Sequence, residues 1–230
     1  GCGFKCHLNT LSPIGIRLEK RTRTSDLPEW RKGLFEYQDE GSQVVALLCD
    51  ARPGMQVVDM CTGAGGKALV MAAQMQNKGR VLALDSDAQR LERGGERMRR
   101  AGIHNIERKH VGNSWGTKRW RYKFDRVVID APCSGSGTWR RQFDARWRCS
   151  SHDLARYTNI QAQLLDKGRA MVKPGGRIIY ITCSVLASEG AQQIDRLLAE
   201  AQELELADIG KIWRNTIGRQ NGGACPPLDK

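Results

Sequence analysis

Two cysteines follow two separate predicted strands, and their thiols are the residues with the clearest chemistry in this sequence. Cys133 lies in DAPCSG (residues 130–135), and Cys183 lies in YITCS (residues 180–184). Each segment comes after a short apolar run that is typical of a buried parallel strand. Open α/β sheets bind their ligands at the carboxyl ends of the strands. We therefore predict that the two thiols meet at the ligand-binding edge of one sheet.

A thiol in such a position has several possible uses. Near a helix N-terminus or a basic group its pKa falls, and the resulting thiolate is a nucleophile at neutral pH. The two cysteines could also form a redox pair, or both could be inert. The neighbouring Asp130 and Pro132 and a glycine turn elsewhere in the chain favour the nucleophile.

That glycine turn follows the first predicted strand, which ends at Asp59. Residues 60–67 read MCTGAGGK, and glycines at positions 63, 65 and 66 let the backbone approach a ligand closely. The next predicted strand ends at Asp85, where a carboxylate could accept hydrogen bonds from a ribose. Taken alone, the pattern fits NAD, S-adenosylmethionine or a structural turn equally well, and its glycine spacing differs from the dinucleotide fingerprint.

The elements that position these residues alternate along the chain. Strands are predicted near residues 57–59, 80–85, 102–111, 126–130 and 177–180, and helices near 39–50, 68–76, 88–101, 153–172 and 188–204. This alternation predicts an α/β fold with a doubly wound, mostly parallel sheet. We expect one domain over residues 37–230, preceded by a short N-terminal extension over residues 1–36. The tail at 222–227 is expected to be irregular.

Composition indicates the class of partner. The chain has 230 residues and a formal charge of +12, which suits a polyanion such as a nucleic acid, with an anionic membrane surface as the alternative. Basic and aromatic residues are interleaved in KRWRYK (118–123) and WRRQFDARWR (139–148), a mixture that can neutralise phosphates and stack on bases. The alternative for both segments is a solvated basic surface.

Other classes are disfavoured. The eight cysteines occur without a secretion signal, which argues against a disulfide framework. No stretch approaches the ~18 to 20 apolar residues of a membrane span. Cys2, Cys6 and His7 lack a second ligand pair at a usable spacing, so we predict no metal site. We expect a soluble, cytoplasmic protein.

Four motifs in this order resemble the S-adenosylmethionine-dependent RNA cytosine-5 methyltransferases of the Sun/Fmu (RsmB-like) group. They are LFEYQDEGSQ (34–43), DMCTGAGGK (59–67), DAPCSG (130–135) and TCS (182–184), and the similarity extends from about residue 33 to 189. The resemblance implies a Rossmann-like methyltransferase fold and 5-methylcytosine formation in RNA, with ribosomal RNA as the leading substrate. Transfer RNA is the alternative substrate, and an RNA-binding module without turnover is the alternative class.

The resemblance also implies a role for each site residue. Cys183 would attack C6 of cytosine, Cys133 would assist product release, Asp130 would bind the base edge and Lys67 would orient or polarise it. The implied contacts to S-adenosylmethionine are Cys61, Thr62, Gly63, Ala64, Gly65, Gly66, Lys67, Asp85, Asn113 and Asp130.

The chain departs from the family pattern at a few positions. Gly63-Ala64 replaces the usual alanine-proline, Asn113 replaces a carboxylate, and Glu189-Gly190 stands where relatives carry glutamate-asparagine. We expect the closing antiparallel hairpin and the separate RNA-binding domain of the family to lie outside this chain. We expect the protein to be a monomer.

Overall fold

The computed structural model describes residues 4–20, 23–112 and 115–218. The strands are β1 (Cys6–Leu8), β2 (Ile16–Leu18), β3 (Gln56–Asp59), β4 (Arg80–Asp85), β5 (Ile106–His110), β6 (Phe124–Asp130) and β7 (Val172–Ile181). The helices are α1 (Pro28–Arg31), α2 (Glu40–Leu48), α3 (Gly66–Gln74), α4 (Ala88–Arg100), α5 (Phe143–Arg148), α6 (Ser151–Met171), α7 (Ala191–Glu200) and α8 (Ile209–Thr216).

The central sheet has the order β5-β4-β3-β6-β7, and every neighbouring pair in it is parallel. This confirms the predicted α/β class and the Rossmann-like, parallel arrangement. The chain moves outward from β3 to β5 and then returns to place β6 on the other side of β3. Parallel strands that diverge in this way leave a crevice between their carboxyl ends, and that crevice begins at Asp59 of β3 and Asp130 of β6.

Both faces of the sheet are buried because successive strand residues point to opposite sides. Val127 belongs to the apolar cluster that contains Leu165 of α6, whereas its neighbour Val128 belongs to the cluster that contains Met71 of α3. All four side chains are fully buried. The two layers of helices hold the strand ends rigidly, so the loops after β3, β6 and β7 have fixed starting points.

The structure differs from the sequence prediction at several element boundaries. The third strand begins only at Ile106, and the expected helix at 188–204 is replaced by a 3₁₀ turn (Ala187–Glu189) followed by the shorter α7. Strand β7 begins at Val172 and not near residue 177, and its register with β6 is irregular between Phe124 and Arg126. Helices α5 and α8 were not predicted; α8 is stabilised by contacts of Trp213 and Ile217 with α2, which are distant in sequence. The tail at 222–227 lies outside the described residues.

The predicted N-terminal extension contains a small antiparallel hairpin, β1 and β2, and packs on the start of α2. The Glu40 carboxylate accepts hydrogen bonds from the backbone N–H groups of Leu11 (2.7 Å) and Ser12 (3.1 Å), and Ser12 Oγ lies 2.7 Å from Gln43 Oε1. The division at residue 36 stays a prediction. In the described part of the chain, no helix is both long and apolar enough to cross a bilayer.

Candidate active site

A polar pocket of about 160 Å³ opens where β3 and β6 end. Its walls come from the segment before α2 and the first turn of α2, from the end of β3 and the loop after it, from the start of α3, from α4 and from the end of β6. The lining residues are Tyr37, Gln38, Ser42, Asp59, Cys61, Thr62, Gly66, Lys67, Arg97 and Asp130. Five of them, namely Cys61, Thr62, Gly66, Lys67 and Asp130, belong to the set predicted from sequence.

The glycine turn, residues 60–67, obtains its shape from two left-handed residues. Gly63 has φ +57° and Gly65, the N-cap of α3, has φ +78°. The constraint at Gly65 is its positive φ, which residues with a side chain rarely adopt; a Cβ there would also displace the flexible end of Met98, whose Cε would lie 2.5 Å away. The turn thereby presents the N-terminus of α3 to the pocket, with Gly66 and Lys67 in its wall.

Asp85 lies beneath this turn and is almost fully buried. Its Oδ2 accepts a hydrogen bond from Gly63 N (2.6 Å), and its Oδ1 accepts one from Asp87 N (2.8 Å). The carboxylate therefore shapes the glycine turn, and its role toward a ribose stays a prediction. Asn113 lies outside the described residues.

Lys67 and Asp130 form an ion pair in the pocket wall, with Nζ 2.5 Å from Oδ2. Behind them, Asp59 is buried, and burial together with the Asp130 charge raises its pKa to about 7. The Thr62 hydroxyl lies close enough to Asp59 to lower the pKa of that carboxyl, but Asp59 Oδ1 and Thr62 Oγ1 make no hydrogen bond of full geometry within the described part of the chain. Buried oxygens without partners are costly, so these two atoms favour a ligand that brings hydrogen-bond donors.

The two cysteines predicted as chemically active are in contact: Cys133 Sγ lies 3.3 Å from Cys183 Sγ. The hydrogen bond from Cys183 lowers the pKa of Cys133 to about 6, although partial burial opposes this shift. The same hydrogen bond raises the pKa of Cys183 above its usual range. The pair therefore holds one proton and one negative charge at neutral pH.

The expected lowering of the thiol pKa is thus confirmed for Cys133 and is wrong for Cys183. The expectation invoked a helix N-terminus or a basic group, whereas the cause in the structure is the second thiol itself. Asp130 also raises the pKa of Cys183 through charge repulsion. Cys183 is the more exposed of the two thiols, which leaves it accessible to a large substrate.

Backbone and hydroxyl contacts hold the two cysteine loops together. Gly137 N donates to Cys183 O (3.0 Å), and a Cβ on Gly137 would lie only 2.7 Å from that oxygen. Ser136 Oγ and Ser184 Oγ are 2.8 Å apart, and Val185 N donates to Ser136 Oγ (2.9 Å). The close approach of the sulfur atoms follows from this pairing of loops.

Sequence reasoning assigned no role to several residues of this site. Asp59 begins the second of the four motifs but has no role assigned from sequence, and Glu189 is marked only as a departure from the family pattern. Tyr37, Gln38 and Ser42 lie in the first of the four motifs, so that motif is the sequence signal that could have identified them. Arg97 lies outside all four motifs, and no sequence signal points to it. Among the described residues, no group of three or more His, Cys, Asp or Glu side chains could hold a metal ion.

The two basic and aromatic segments have different environments. Trp120 is buried in the apolar core beside Trp115, with their ring centroids 5.4 Å apart, so this ring of the segment 118–123 does not face a ligand. Trp147 on α5 is 83% exposed and Phe143 is 72% exposed. The segment 139–148 therefore offers two exposed aromatic side chains, and the segment 118–123 offers one, Tyr122, which is 54% exposed.

Comparison with known proteins identifies the family. A protein named Ribosomal RNA small subunit methyltransferase B from Yersinia enterocolitica is 35% identical over 211 residues, covering 91% of this chain and 48% of that protein. A protein of the same name from Erwinia tasmaniensis is 34% identical, with 90% and 49% covered. The chain spans about half the length of the curated relatives it matches.

Solved structures agree on the fold. The crystal structure of a methyltransferase homolog protein from Pyrococcus horikoshii has a TM-score of 0.75 and 30% identity, covering 86% of this chain and 62% of that one. NSun6 from Pyrococcus horikoshii with SFG has a TM-score of 0.69 at 21% identity, covering 81% and 49%. The family model described as 16S rRNA methyltransferase RsmB/F matches residues 46–226. With four family motifs gathered at one sheet edge, the chain belongs to the RsmB/F methyltransferase family.

Proposed function

We propose that this chain is the catalytic domain of an S-adenosylmethionine-dependent enzyme that methylates C5 of cytosine in ribosomal RNA. The observation that carries the proposal is the contact between Cys133 and Cys183 beside a pocket lined by Lys67 and Asp130. Two adjacent thiols with one shared proton suit a reaction that must both form and break a sulfur–carbon bond.

The residues that line the pocket suit the cofactor in their chemistry. The glycine turn brings Gly66 and Lys67 into the pocket wall, and the Asp59 carboxylate and Thr62 hydroxyl, which also line the pocket, can accept hydrogen bonds from an ammonium group. We assign the glycine turn, Lys67 and Asp130 to hold the cofactor, and we assign Asp85 to its ribose side. When bound, S-adenosylmethionine supplies the methyl group that C5 accepts.

The thiol pair provides covalent activation of the base. Cys183 passes its proton to the Cys133 thiolate across the 3.3 Å contact, and the resulting Cys183 thiolate adds to C6 of cytosine. The new sulfur–carbon bond gives C5 the enamine character that makes it nucleophilic. After methylation, the C5 proton must leave and the Cys183–C6 bond must break. We assign removal of that proton to Cys133, once its own proton has passed to solvent.

Asp130 and Lys67 are assigned to the base itself. Lys67 holds Asp130 Oδ2, which fixes the direction of the carboxylate at the end of β6. The carboxylate can then accept a hydrogen bond from the exocyclic amino group of cytosine, a group that uracil lacks. Asp130 binds the base and also pairs with the Lys67 ammonium group, so Lys67 lies near the base. Its positive charge can then stabilise the negative charge that develops on the base during attack by Cys183.

Charge and exposed aromatics support RNA as the substrate. The chain carries a formal charge of +12, and α5 presents Trp147 and Phe143 to solvent close in sequence to Cys133. Arg140 and Arg146 in the same segment are exposed. These side chains can neutralise phosphates and stack on unpaired bases. The names of the relatives favour ribosomal RNA over transfer RNA.

The decisive experiment is incubation of the chain with radiolabelled S-adenosylmethionine and, separately, small-subunit ribosomal RNA or transfer RNA. We expect label in ribosomal RNA with the wild-type chain and none with Cys183→Ala. Label only in transfer RNA would change the substrate, and RNA binding without label in either would indicate a binding module. Bisulfite sequencing of the labelled RNA then identifies the modified cytosine.

A further inference from the structure

Glu189 is a buried carboxylate between the two cysteine loops. It ends the 3₁₀ turn that follows Cys183, and its exposed fraction is 0%. Its Oε1 accepts hydrogen bonds from Ser134 N (2.9 Å) and from Gln161 Nε2 (3.0 Å), and its Oε2 accepts one from Ser134 Oγ. Ser134 is the residue directly after Cys133, so this carboxylate links the two loops that carry the thiols.

Two further hydrogen bonds, made by Gln161 and Tyr180, hold Glu189 and the Cys133 loop in place. Gln161, fully buried on α6, also donates to the carbonyl oxygen of Pro132 (2.8 Å), the residue before Cys133. Tyr180 Oη donates to the carbonyl oxygen of Glu189 (2.7 Å). Donors from β7, α6 and the Cys133 loop thus converge on one residue, which gives the Cys133 loop a fixed distance from the Cys183 loop.

The carboxylate is held by neutral donors. None of the ion pairs found in the described part of the chain includes Glu189. Burial alone would raise its pKa, but the hydrogen bonds led by those of Ser134 hold the pKa below its usual range, so the group is ionised at neutral pH. A buried charge that depends on three hydrogen bonds constrains its donors strongly, since losing any of them leaves charge uncompensated.

We propose that Glu189 is the positioning residue of the thiol pair: it holds the Cys133 loop against the Cys183 loop so that the sulfur atoms stay within reach of proton exchange. This inference rests on the proposed function for its catalytic consequence. Glu189 contacts neither sulfur atom in the described structure, so its effect on the reaction is exerted through Ser134 and the backbone around it.

The chain offers a matched pair of variants. In Glu189→Gln, the amide oxygen can accept from Ser134 N and Gln161 Nε2 at the position of Oε1, while the amide nitrogen donates to a rotated Ser134 hydroxyl. This variant keeps the geometry and removes the charge. Glu189→Ala removes both. A positioning role predicts that Glu189→Gln behaves nearly as wild type, whereas Glu189→Ala does not.

The readout is the pH midpoint of Cys133 alkylation by iodoacetamide, with the modified peptide identified by mass spectrometry. In the wild-type chain the midpoint should lie near 6, the pKa that the Cys183 contact produces. Glu189→Ala should move it by roughly 2 pH units toward the ordinary thiol value of about 8.5, because the sulfur atoms separate. It should also lower kcat by roughly tenfold or more while leaving KM for S-adenosylmethionine nearly unchanged.

Circular dichroism and cofactor calorimetry check that Glu189→Ala folds. If it does not, Ser134→Ala removes the hydroxyl contacts of Ser134 with Glu189, Ser136 N and Ser184 but keeps the hydrogen bond from Ser134 N to Glu189, and it should shift the alkylation midpoint in the same direction by a smaller amount. An unchanged midpoint and kcat in folded Glu189→Ala would overturn the inference. So would equal defects in Glu189→Ala and Glu189→Gln, which would mean that charge and not position matters.

The alkylation assay needs neither RNA nor cofactor, so the two hypotheses can fail separately. A shifted midpoint in Glu189→Ala together with no RNA methylation by the wild-type chain would retain the positioning role and reject the proposed function. Normal methylation by wild type and by Glu189→Ala, together with an unchanged alkylation midpoint in the variant, would reject the positioning role and retain the proposed function.

Discussion

The two halves of the sheet edge are built differently. The glycine turn after β3 is shaped by backbone conformation, with the carboxylate of Asp85 accepting the N–H of Gly63. The thiol half, after β6 and β7, is shaped by side chains, with Glu189 and the hydroxyl groups joining two loops. The first arrangement creates space for a ligand, and the second places two reactive atoms. Damage to each half should therefore have a separate effect.

The largest effect is expected from Cys183→Ala. Methyl transfer should fall by about 10³-fold or more, because no other group can form the covalent bond to C6. Affinity for S-adenosylmethionine should be unchanged, since the glycine turn is intact. Label incorporation and calorimetry measure the two quantities, with Cys6→Ala, which changes an exposed cysteine of the N-terminal hairpin, as the control. Substantial turnover by Cys183→Ala would remove this residue from the role.

The second prediction separates the two thiols. In Cys133→Ala the Cys133 thiolate no longer raises the pKa of Cys183, so Cys183 can lose its proton to solvent and still form the bond to C6. Product release should be slow, so a covalent protein–RNA complex should accumulate as a denaturation-resistant band. The double variant, which lacks Cys183 as well, should show no band. If Cys183→Ala traps RNA and Cys133→Ala does not, the assigned roles are reversed. In a redox pair, both single variants would behave alike.

The third prediction concerns pH. The lowered pKa of Cys133 means that its thiolate is present above about pH 6 and is lost as the pH falls through that value. Cys183→Ala removes the hydrogen bond that causes this lowering, so the midpoint of Cys133 alkylation should rise toward about 8.5. The wild-type chain, assayed from pH 5 to pH 10, is the reference. A midpoint near 6 in the variant would show that another group stabilises the thiolate.

A smaller effect, on cofactor affinity, is expected from a change in the half that contains the glycine turn. Asp85→Ala removes the acceptor of the Gly63 hydrogen bond and the proposed ribose contact, and it should weaken S-adenosylmethionine binding by about 1–3 kcal/mol. Asp208→Ala is the control, because Asp208 caps α8 and does not line the pocket. Calorimetry with unchanged affinity in Asp85→Ala would place the cofactor elsewhere.

The smallest effect compares the two basic segments. Replacing Arg140 and Arg146 by Ala should weaken RNA binding and reduce the salt slope by about 1 to 2, since each lost phosphate contact releases fewer counterions. Arg141 is a less informative choice because it pairs with Asp39 (2.7 Å). Replacing Lys118 and Arg121 is the matched comparison, and we expect a smaller change there. Equal slopes for the wild type and both variants would make both segments solvated surfaces.

Local sequence patterns predicted the central sheet well because strand and helix periodicity depends on near neighbours. The strand Arg80–Asp85 was predicted at its observed bounds, and the helix at 153–172 nearly so. The predictions were less accurate where long-range contacts decide. Helix α8 is stabilised by packing of Trp213 against α2. The 3₁₀ turn at Ala187–Glu189 ends at Glu189, whose side chain is held by Ser134 and Gln161, residues distant in sequence. Such contacts have no periodic signature.

By itself, the sequence determined the succession of strands along the chain, the glycine turn and the placement of both thiols at strand ends. These features follow from apolar runs and turn residues within a few positions of one another. Only the tertiary structure decided that Trp120 is buried while Trp147 is exposed, because residues distant in sequence cover one and not the other. It also decided that Cys133 carries the lowered pKa. The cause is a sulfur atom from a different loop, and no local pattern encodes that contact.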